Sequence, residues 1–464
     1  MPTIGVLNTN AGNVSSLMSC CRQMGYQPVL LTEPAADEVD VLMIPGQGHF
    51  GEVMDYLRSR QLDSLIHRHL ANHRTVIGIC VGMQIFFEGS EEAPDSQGLG
   101  LFPGVAGKLN SPKQPMVGWA TLYSDKDINN AQVYFVNSYA VKPSPALSAV
   151  TLAGTHYGED FVAAVQGHKR PNLIGFQFHP EKSGRTGKRI LQKAIEQNFQ
   201  PIPKKTGGTA PTNRLCPRVI ACLDVADGRV VKGTRFVDIK DMGDPVALAA
   251  KYEQQGADEI LYLDITATNE QRKNALHTVQ SVAAQLSIPL TVGGGLNATE
   301  DVAAFLNAGA DKVALNTAAV KTPQLVNDIA GRFGSQCVVV AIDTQLENGR
   351  YVVYTHGGKK ATTLEALTWA KQVADLGAGE LLITAKHRDG TGLGFDNELM
   401  REMAKLPIQV IASGGAANAR HFAQTFAAGS DAALAAGMFH RGEISITELK
   451  ETLLKQQIKV RKVC

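Results

Sequence analysis

The second half of the chain repeats itself, and that repeat leaves few folds open. Val219-Ile220-Ala221-Cys222-Leu223-Asp224 is answered by Val338-Val339-Val340-Ala341-Ile342-Asp343. Leu261-Tyr262-Leu263-Asp264 is answered by Leu381-Leu382-Ile383-Thr384, and Leu290-Thr291-Val292-Gly293-Gly294-Gly295 by Val410-Ile411-Ala412-Ser413-Gly414-Gly415. Ala308-Gly309-Ala310-Asp311 is answered by Ala428-Gly429-Ser430-Asp431, so the offset is 119 or 120 residues throughout. Self-similarity at one period means one structural unit used twice. Each copy holds four apolar runs with helical stretches between them. Two copies make eight strands and eight helices, and residues 214–464 match the roughly 250 residues of a (β/α)8 TIM barrel.

In such a barrel chemistry sits at the C-terminal ends of the strands. Asp224 reads as the end of the first strand and Asp343 as the end of the fifth, which face each other across the ring. Two carboxylates so placed serve as general acid and general base on one substrate; the alternative is that each only caps a loop. Glycine turns also come twice. Gly294 and Gly295 with Asn316 and Thr317 follow strands three and four, and Gly414 and Gly415 with Ala436 and Gly437 follow strands seven and eight. Small residues ahead of a helix let backbone N–H groups surround a phosphate. Two such sets imply a long substrate with a phosphate at each end. At the opposite mouth, Arg218, Glu259, Lys312 and Glu380 stand at the starts of strands one, two, four and six; they either pair in a ring or are ordinary solvated charges.

Residues 200–213 carry three Pro, two Gly and no apolar periodicity, which predicts a linker. Ahead of it, residues 1–199 alternate strands and helices: Ile4 to Leu7, a helix from about Val14 to Met24, Val41 to Ile44, a helix around Val53 to His69, and Thr75 to Ile77. That pattern predicts an α/β sheet wrapped by helices, with antiparallel additions such as Gln132 to Val136 and Phe161 to Val165. Gly78-Ile79-Cys80-Val81-Gly82-Met83-Gln84 follows the last of the parallel strands and precedes a helix start at Gln84-Ile85-Phe86-Phe87. A Gly-x-nucleophile-x-Gly turn there is a nucleophile elbow, and a nearby helix N-terminus favours the thiolate of Cys80. A plain buried cysteine is the alternative. In Gln177-Phe178-His179-Pro180-Glu181-Lys182, His179 and Glu181 are two apart, so extended chain puts both on one face, a base held by a carboxylate. Pro45-Gly46-Gln47-Gly48 is a turn able to aim N–H groups at an oxyanion.

Composition narrows the rest. A formal net charge of +1, with 44% hydrophobic and 19% charged residues, gives no electrostatic case for nucleic acid or membrane. No apolar run approaches the roughly 20 residues of a spanning helix, and Met1 to Leu7 leads straight into a strand. A cytoplasmic chain without a leader is expected. The seven cysteines lack metal-site spacing, so no metal and no cofactor is expected.

The elbow Gly78 to Gln84 and the stretch Gln177 to Ser183 resemble the class I, triad glutamine amidotransferases, over residues 1 to about 199. That resemblance implies that Cys80, His179 and Glu181 hydrolyse glutamine, with Gly46, Gly48 and Gln84 at the oxyanion and glutamine site. Ile220 to Val225, Gly228-Arg229-Val230-Val231-Lys232-Gly233, Val292 to Gly295, Asp311-Lys312-Val313 and Ile411 to Gly415 resemble the cyclase subunit of the imidazole glycerol phosphate synthases, over residues 214–464. Together they imply a fused, bifunctional form. Glutamine-derived ammonia attacks a two-phosphate aminoimidazole carboxamide ribonucleotide (PRFAR), giving imidazole glycerol phosphate, AICAR and glutamate. By the same resemblance Asp224 and Asp343 are the acid/base pair, and Lys232 contacts a phosphate or orders its loop. Asp389 and Gly390 join Gly294, Gly295, Asn316, Thr317, Gly414, Gly415, Ala436 and Gly437 as phosphate- and substrate-contacting residues. Arg218, Glu259, Lys312 and Glu380 become the gate of an ammonia channel, and an interface within the chain replaces a separate glutaminase subunit. Several positions depart from the family pattern: Met116, Ala120 and Asn137 replace His, Asn and His, Gln47 sits in the oxyanion turn, Lys386-His387 replace an apolar residue and Asp, and Gly437 replaces Ser. The rival readings are a glutaminase joined to a barrel isomerase of phosphoribosyl compounds, and a scaffold that has kept the fold without catalysis.

Overall fold

The structure is a computed structural model. It describes residues 1–9, 13–34, 39–202, 215–234, 237–265 and 272–463, the side chains of 232–234, 237–240 and 272–273 excepted. Two compact units emerge: Met1–Pro112 with Met116–Leu215, and Lys113–Pro115 with Cys216–Cys464. Of the expected linker, residues 203–213 lie outside the described residues, as does residue 214 after it. Its first residues are already tied down, since Pro201 bridges Lys126 and the Asp127 N–H donates to the Gln200 carbonyl at 2.9 Å.

The first unit is built on a seven-stranded sheet. Its order is Thr151–Tyr157, Glu159–Gln166, Leu173–Phe176, Thr75–Ile79, Val41–Ile44, Ile4–Leu7 and Pro28–Leu31. The last five run parallel and the first two are antiparallel additions. Ile4–Leu7, Val41–Ile44, Thr75–Ile79 and Leu173–Phe176 are buried at every position, the continuous apolar reading of strands covered on both faces. Gln132–Asn137 lies elsewhere than expected, pairing with Met116–Thr121 in a separate two-stranded ribbon. The single helix expected around Val53 to His69 is two, Phe50–Ser59 and Leu62–Ala71. Gln61 breaks it with φ of 55°, a left-handed backbone that a right-handed helix cannot pass through.

The second unit is a closed barrel of eight parallel strands: Arg218–Ala226, Glu259–Asp264, Leu290–Gly293, Lys312–Leu315, Val338–Glu347, Glu380–Ala385, Gln409–Ser413 and Ala432–Ala435. Closure comes from pairing the last strand with the first, Arg218 opposite Ala432. Ile220, Cys222, Leu261, Ala314, Val339, Leu382, Ile411 and Leu434 fill the axis. The structure corrects two sequence expectations here. Asp224 and Asp343 do not end their strands; the first runs on to Ala226 and pairs with Arg229–Thr234, and the fifth runs on to Glu347 and pairs with Arg350–Thr355. The repeat also slips by one residue between strands two and six. Leu263 lies opposite Asp224 while Thr384 lies opposite Asp343, so Glu259 and Glu380 are equivalent.

Candidate active sites

At the elbow, Cys80 joins the strand Thr75–Ile79 to the one-turn helix Val81–Gln84. The helix begins at once after the cysteine and ends at Gln84, where the sequence suggested a start. Cys80 has φ of 55° and ψ of −112°, a strained conformation of the kind that turns at reactive groups store. Three glycines make it possible. A Cβ on Gly78 would stand 2.2 Å from the Gly82 carbonyl oxygen, one on Gly82 2.1 Å from the Ile44 oxygen, and one on Gly46 2.3 Å from the Gly82 nitrogen. Gly46 and the elbow are therefore in backbone contact, and Gly48, with φ of 121°, completes the turn.

His179 follows the strand Leu173–Phe176 and is fully buried. Its Nδ1 lies 2.8 Å from Glu181 Oε1. The segment between them is not extended; Pro180–Lys182 is a 3-10 turn, which brings the two side chains together by curling. His179 Nε2 is buried without a hydrogen-bond partner. Burial opposes a charge on this imidazole, but the charges of Glu181 and Cys80 outweigh it and push His179 up to about 10. The ring thus holds its second proton at neutral pH, and Cys80 is likewise buried, at 4% exposure. Gln84 donates to the Tyr139 carbonyl at 2.9 Å and to Gln177 Oε1 at 3.0 Å, and Gln177 Nε2 lies 3.6 Å from Cys80 Sγ. Sequence reasoning missed Gln177; its place two residues before His179 was the available signal. Asn137 donates to the same Tyr139 carbonyl at 3.1 Å, and Met116 and Ala120 pack into the core of this unit.

At the C-terminal mouth of the barrel, the first and fifth strands have three strands between them on either side. Asp224 is half-buried, with the Cys222 thiol 3.6 Å from its Oδ1. Asp343 accepts a hydrogen bond from Asn316 Nδ2 at 2.9 Å. Burial pushes its carboxyl up and Asp389 adds to that; Asn316 and the Lys386 charge pull it down, leaving it at about 6. Lys386 Nζ stands 3.3 Å from the centre of the Tyr354 ring, a cation–π contact, and burial lowers its own ionisation. His387 Nε2 lies 3.0 Å from Asp396 Oδ2, which also accepts from the Tyr351 hydroxyl at 2.9 Å. The Lys386-His387 departure is therefore wired into this mouth.

The glycine pairs are cramped against neighbouring backbone. A Cβ on Gly294 would lie 2.2 Å from the Asp264 oxygen and one on Gly415 2.4 Å from the Gly394 oxygen. Gly295 and Gly414 share their positive φ, at 64° and 93°, and Gly390 turns the loop after strand six at 73°. Asn316 and Ala436 precede the short helices Thr317–Lys321 and Gly437–His440 with matching φ of −126° and −123°. Asn316 spends its amide on Asp343, and the Thr317 hydroxyl accepts the His356 N–H at 2.9 Å. Lys232 lies in the strand Arg229–Thr234 and its side chain lies outside the described residues.

At the N-terminal mouth, the solvated alternative fails: Arg218, Glu259, Lys312 and Glu380 are each 0–1% exposed. Arg218 bonds Glu259 at 2.9 Å and also pairs with Glu380; Lys312 bonds Glu259 at 2.7 Å and pairs with Glu380. Burial works against the Glu380 charge, and Arg218 and Lys312 hold it below the usual carboxylate range. Inside this ring is a cavity of about 10 Å³ lined by Ile220, Glu259, Leu261, Thr291, Val339, Leu382, Ile411 and Leu434, room for about one water-sized molecule. Among the described residues no cluster of His, Cys, Asp or Glu is arranged to hold a metal, and no helix is long and apolar enough to cross a membrane.

Comparison with known proteins finds a relative for each of the two units. The family described as Glutamine amidotransferase class-I matches residues 6–197, and the family described as Histidine biosynthesis protein matches residues 218–445. The imidazole glycerol phosphate synthase subunit HisF of Lactiplantibacillus plantarum is 53% identical over 251 residues, covering 53% of this chain and 100% of that protein. The HisF subunit of Flavobacterium johnsoniae is 52% identical over 249 residues, covering 53% of this chain and 99% of its own length. Eight closed strands, the paired mouths and these two matches lead to one assignment: the chain belongs to the imidazole glycerol phosphate synthase family of histidine biosynthesis, with a class-I glutamine amidotransferase domain and a HisF-like barrel in one polypeptide.

Proposed function

We propose that the chain makes imidazole glycerol phosphate and AICAR from PRFAR, using ammonia that its own first domain releases from glutamine. The observation that carries this reading is Cys80 on its strained turn beside the buried His179–Glu181 pair, in one polypeptide with the HisF-like barrel. The Cys80 thiolate attacks the glutamine carboxamide, and N–H groups of the Gly46-Gln47-Gly48 turn receive the oxyanion. Protonated His179 gives its proton to the departing nitrogen, so ammonia leaves and a thioester remains. Water then attacks the thioester with His179 as base, releasing glutamate and restoring the thiolate. Glu181 holds the imidazole in orientation throughout.

Ammonia enters the barrel at the ring of Arg218, Glu259, Lys312 and Glu380 and follows the axis. The apolar lining of the cavity inside the ring and its one-molecule size support that route. The ring as it stands is fully paired, so passage requires one ion pair to part. At the other mouth Asp224 and Asp343 exchange protons with the reacting centre. A carboxyl at about 6 is matched to that task near neutral pH. The glycine pairs Gly294-Gly295 and Gly414-Gly415 receive the two phosphates, with Asn316, Thr317, Ala436, Gly437, Lys232, Asp389 and Gly390 around them.

The test separates the two half-reactions. Incubation with glutamine and PRFAR yields both products by mass. Cys80→Ala abolishes synthesis from glutamine and retains synthesis from added ammonium salt at alkaline pH. Equal loss of both in a folded variant overturns internal ammonia transfer.

A further inference from the structure

The mechanism above leaves Gln177 without a part, although it sits against the reacting sulfur. Gln177 is 0% exposed and its backbone N–H is bound to the Ala163 carbonyl at 2.9 Å. A buried amide is costly unless its polar ends are engaged. Here both are: Oε1 receives Gln84 Nε2 at 3.0 Å, and Nε2 points to Cys80 Sγ at 3.6 Å.

The direction of that amide follows from its partners, because oxygen and nitrogen ends have the same shape. The chain of contacts starts at the Tyr139 carbonyl, which can only accept. Gln84 lies 2.9 Å from it and Asn137 3.1 Å, so Gln84 must present its NH2 there. The second hydrogen of the same NH2 faces Gln177, which must therefore present its oxygen. What remains for Cys80 is the Gln177 NH2, a group that can only donate. The sulfur is required to accept, and a thiolate accepts far better than a thiol. A thiol would need an acceptor of its own, and the Val136 carbonyl at 4.0 Å is at the limit of reach.

We infer that Gln177 is a further catalytic residue of the glutaminase site: anchored through Gln84 to the Tyr139 carbonyl, it donates to Cys80 Sγ and favours the thiolate. Gln84 is then a positioning residue, both of its amide hydrogens being spent within the chain. Gln177 leaves the sulfur with a donor at 3.6 Å and no strong acceptor. The inference rests on the glutaminase reading for its importance, but its geometry stands within the first unit alone.

The test reads the thiolate directly. Thiolate ultraviolet absorbance is followed against pH and differenced against Cys80→Ser, and Cys80 alkylation by iodoacetamide is followed by peptide mass. Gln177→Glu keeps the shape and replaces the donor with an anionic acceptor. Thiolate formation and alkylation are expected to move to higher pH by at least about 1 unit. Gln84→Leu leaves Gln177 in place but frees its amide to turn, and a smaller shift in the same direction is expected. In both, kcat for glutamine falls more than KM rises. A pH dependence unmoved or lowered in folded Gln177→Glu overturns the assignment; if that variant does not fold, an unmoved Gln84→Leu does so. Neither spectroscopic readout uses glutamine. A shift in a chain that never hydrolyses glutamine overturns the proposed function and keeps only the donation from Gln177 to the Cys80 thiolate, and the converse overturns the Gln177 assignment alone.

Discussion

The two halves of the barrel share a frame and differ in what is mounted on it. At the frame, Leu290 donates its N–H to Asp311 and Val410 donates to Asp431, each at 2.8 Å. Asp224 and Asp343 occupy equivalent places, and each lies on a strand prolonged into an antiparallel hairpin. The buried glutamates Glu259 and Glu380 are equivalent too. Their cations are not: Arg218 and Lys312 both come from the first half, and Cys337 and Ala432 stand in their places in the second. Around Asp343 the second half adds Lys386 on Tyr354. The repeated features set the backbone and the anions; the unrepeated ones set the cations placed around those anions.

The strongest challenge to this contrast is at the two aspartates. Asp224→Asn and Asp343→Asn should each cut synthesis by about 10²–10⁴-fold, with glutamine and with ammonium alike. If one variant keeps near-normal turnover while PRFAR still binds, the equivalence is architectural only. Next comes the ring. Lys312→Met leaves two buried glutamates facing Arg218 alone, and about 3–5 kcal/mol of stability should be lost in urea unfolding. Ala432→Met, the matching change in the second half, disturbs packing but no ion pair, so an equal loss there would deny the asymmetry.

Asp343 offers a pH test. Its carboxyl is raised to about 6 in the folded chain, so the folded state binds this proton more tightly than the unfolded state does. That contribution is complete below the unfolded value near 3.9 and is lost as pH rises through 6. Asp343→Asn should therefore stabilise the chain by up to about 3 kcal/mol at pH 8 and by little at pH 4, read as melting temperature at the two pH values. The smallest effect concerns helix caps. Asn418 caps the helix Ala419–Ala427 by accepting the His421 N–H, while its counterpart before Thr299–Asn307 is Ala298. Asn418→Ala should cost about 1 kcal/mol and Ala298→Ser should recover a similar amount, measured by urea midpoint.

Much of this was legible in the sequence because it was periodic or local. The repeat gave eight strands, and Gly78-Ile79-Cys80-Val81-Gly82 gave a turn whose tightness only glycine permits. The strand starts at Arg218, Glu259, Lys312 and Glu380 were legible, but not their burial, since closing a ring is a tertiary event. Four things escaped. The break at Gln61 has no Gly or Pro to announce it. The strands run past Asp224 and Asp343 because hairpin partners follow them, and the one-residue slip between strands two and six is visible only in the register. The hydrogen bond from the Asn316 amide to Asp343 joins residues 27 apart in sequence, a contact no local pattern reveals.

Gly46, Gly78 and Gly82 limit how this enzyme can drift. At Gly5 an added carbon would meet only side chains, Leu31 at 2.5 Å and Val39 at 2.9 Å, so trimming those neighbours can make room. At the three elbow glycines the nearest obstacle is main chain, which no substitution elsewhere can shorten. Second-site rescue is open to the first kind of position and closed to the other three. Over time the elbow is free to be lost whole, and the chain around it free to vary, with no path of paired replacements between those ends.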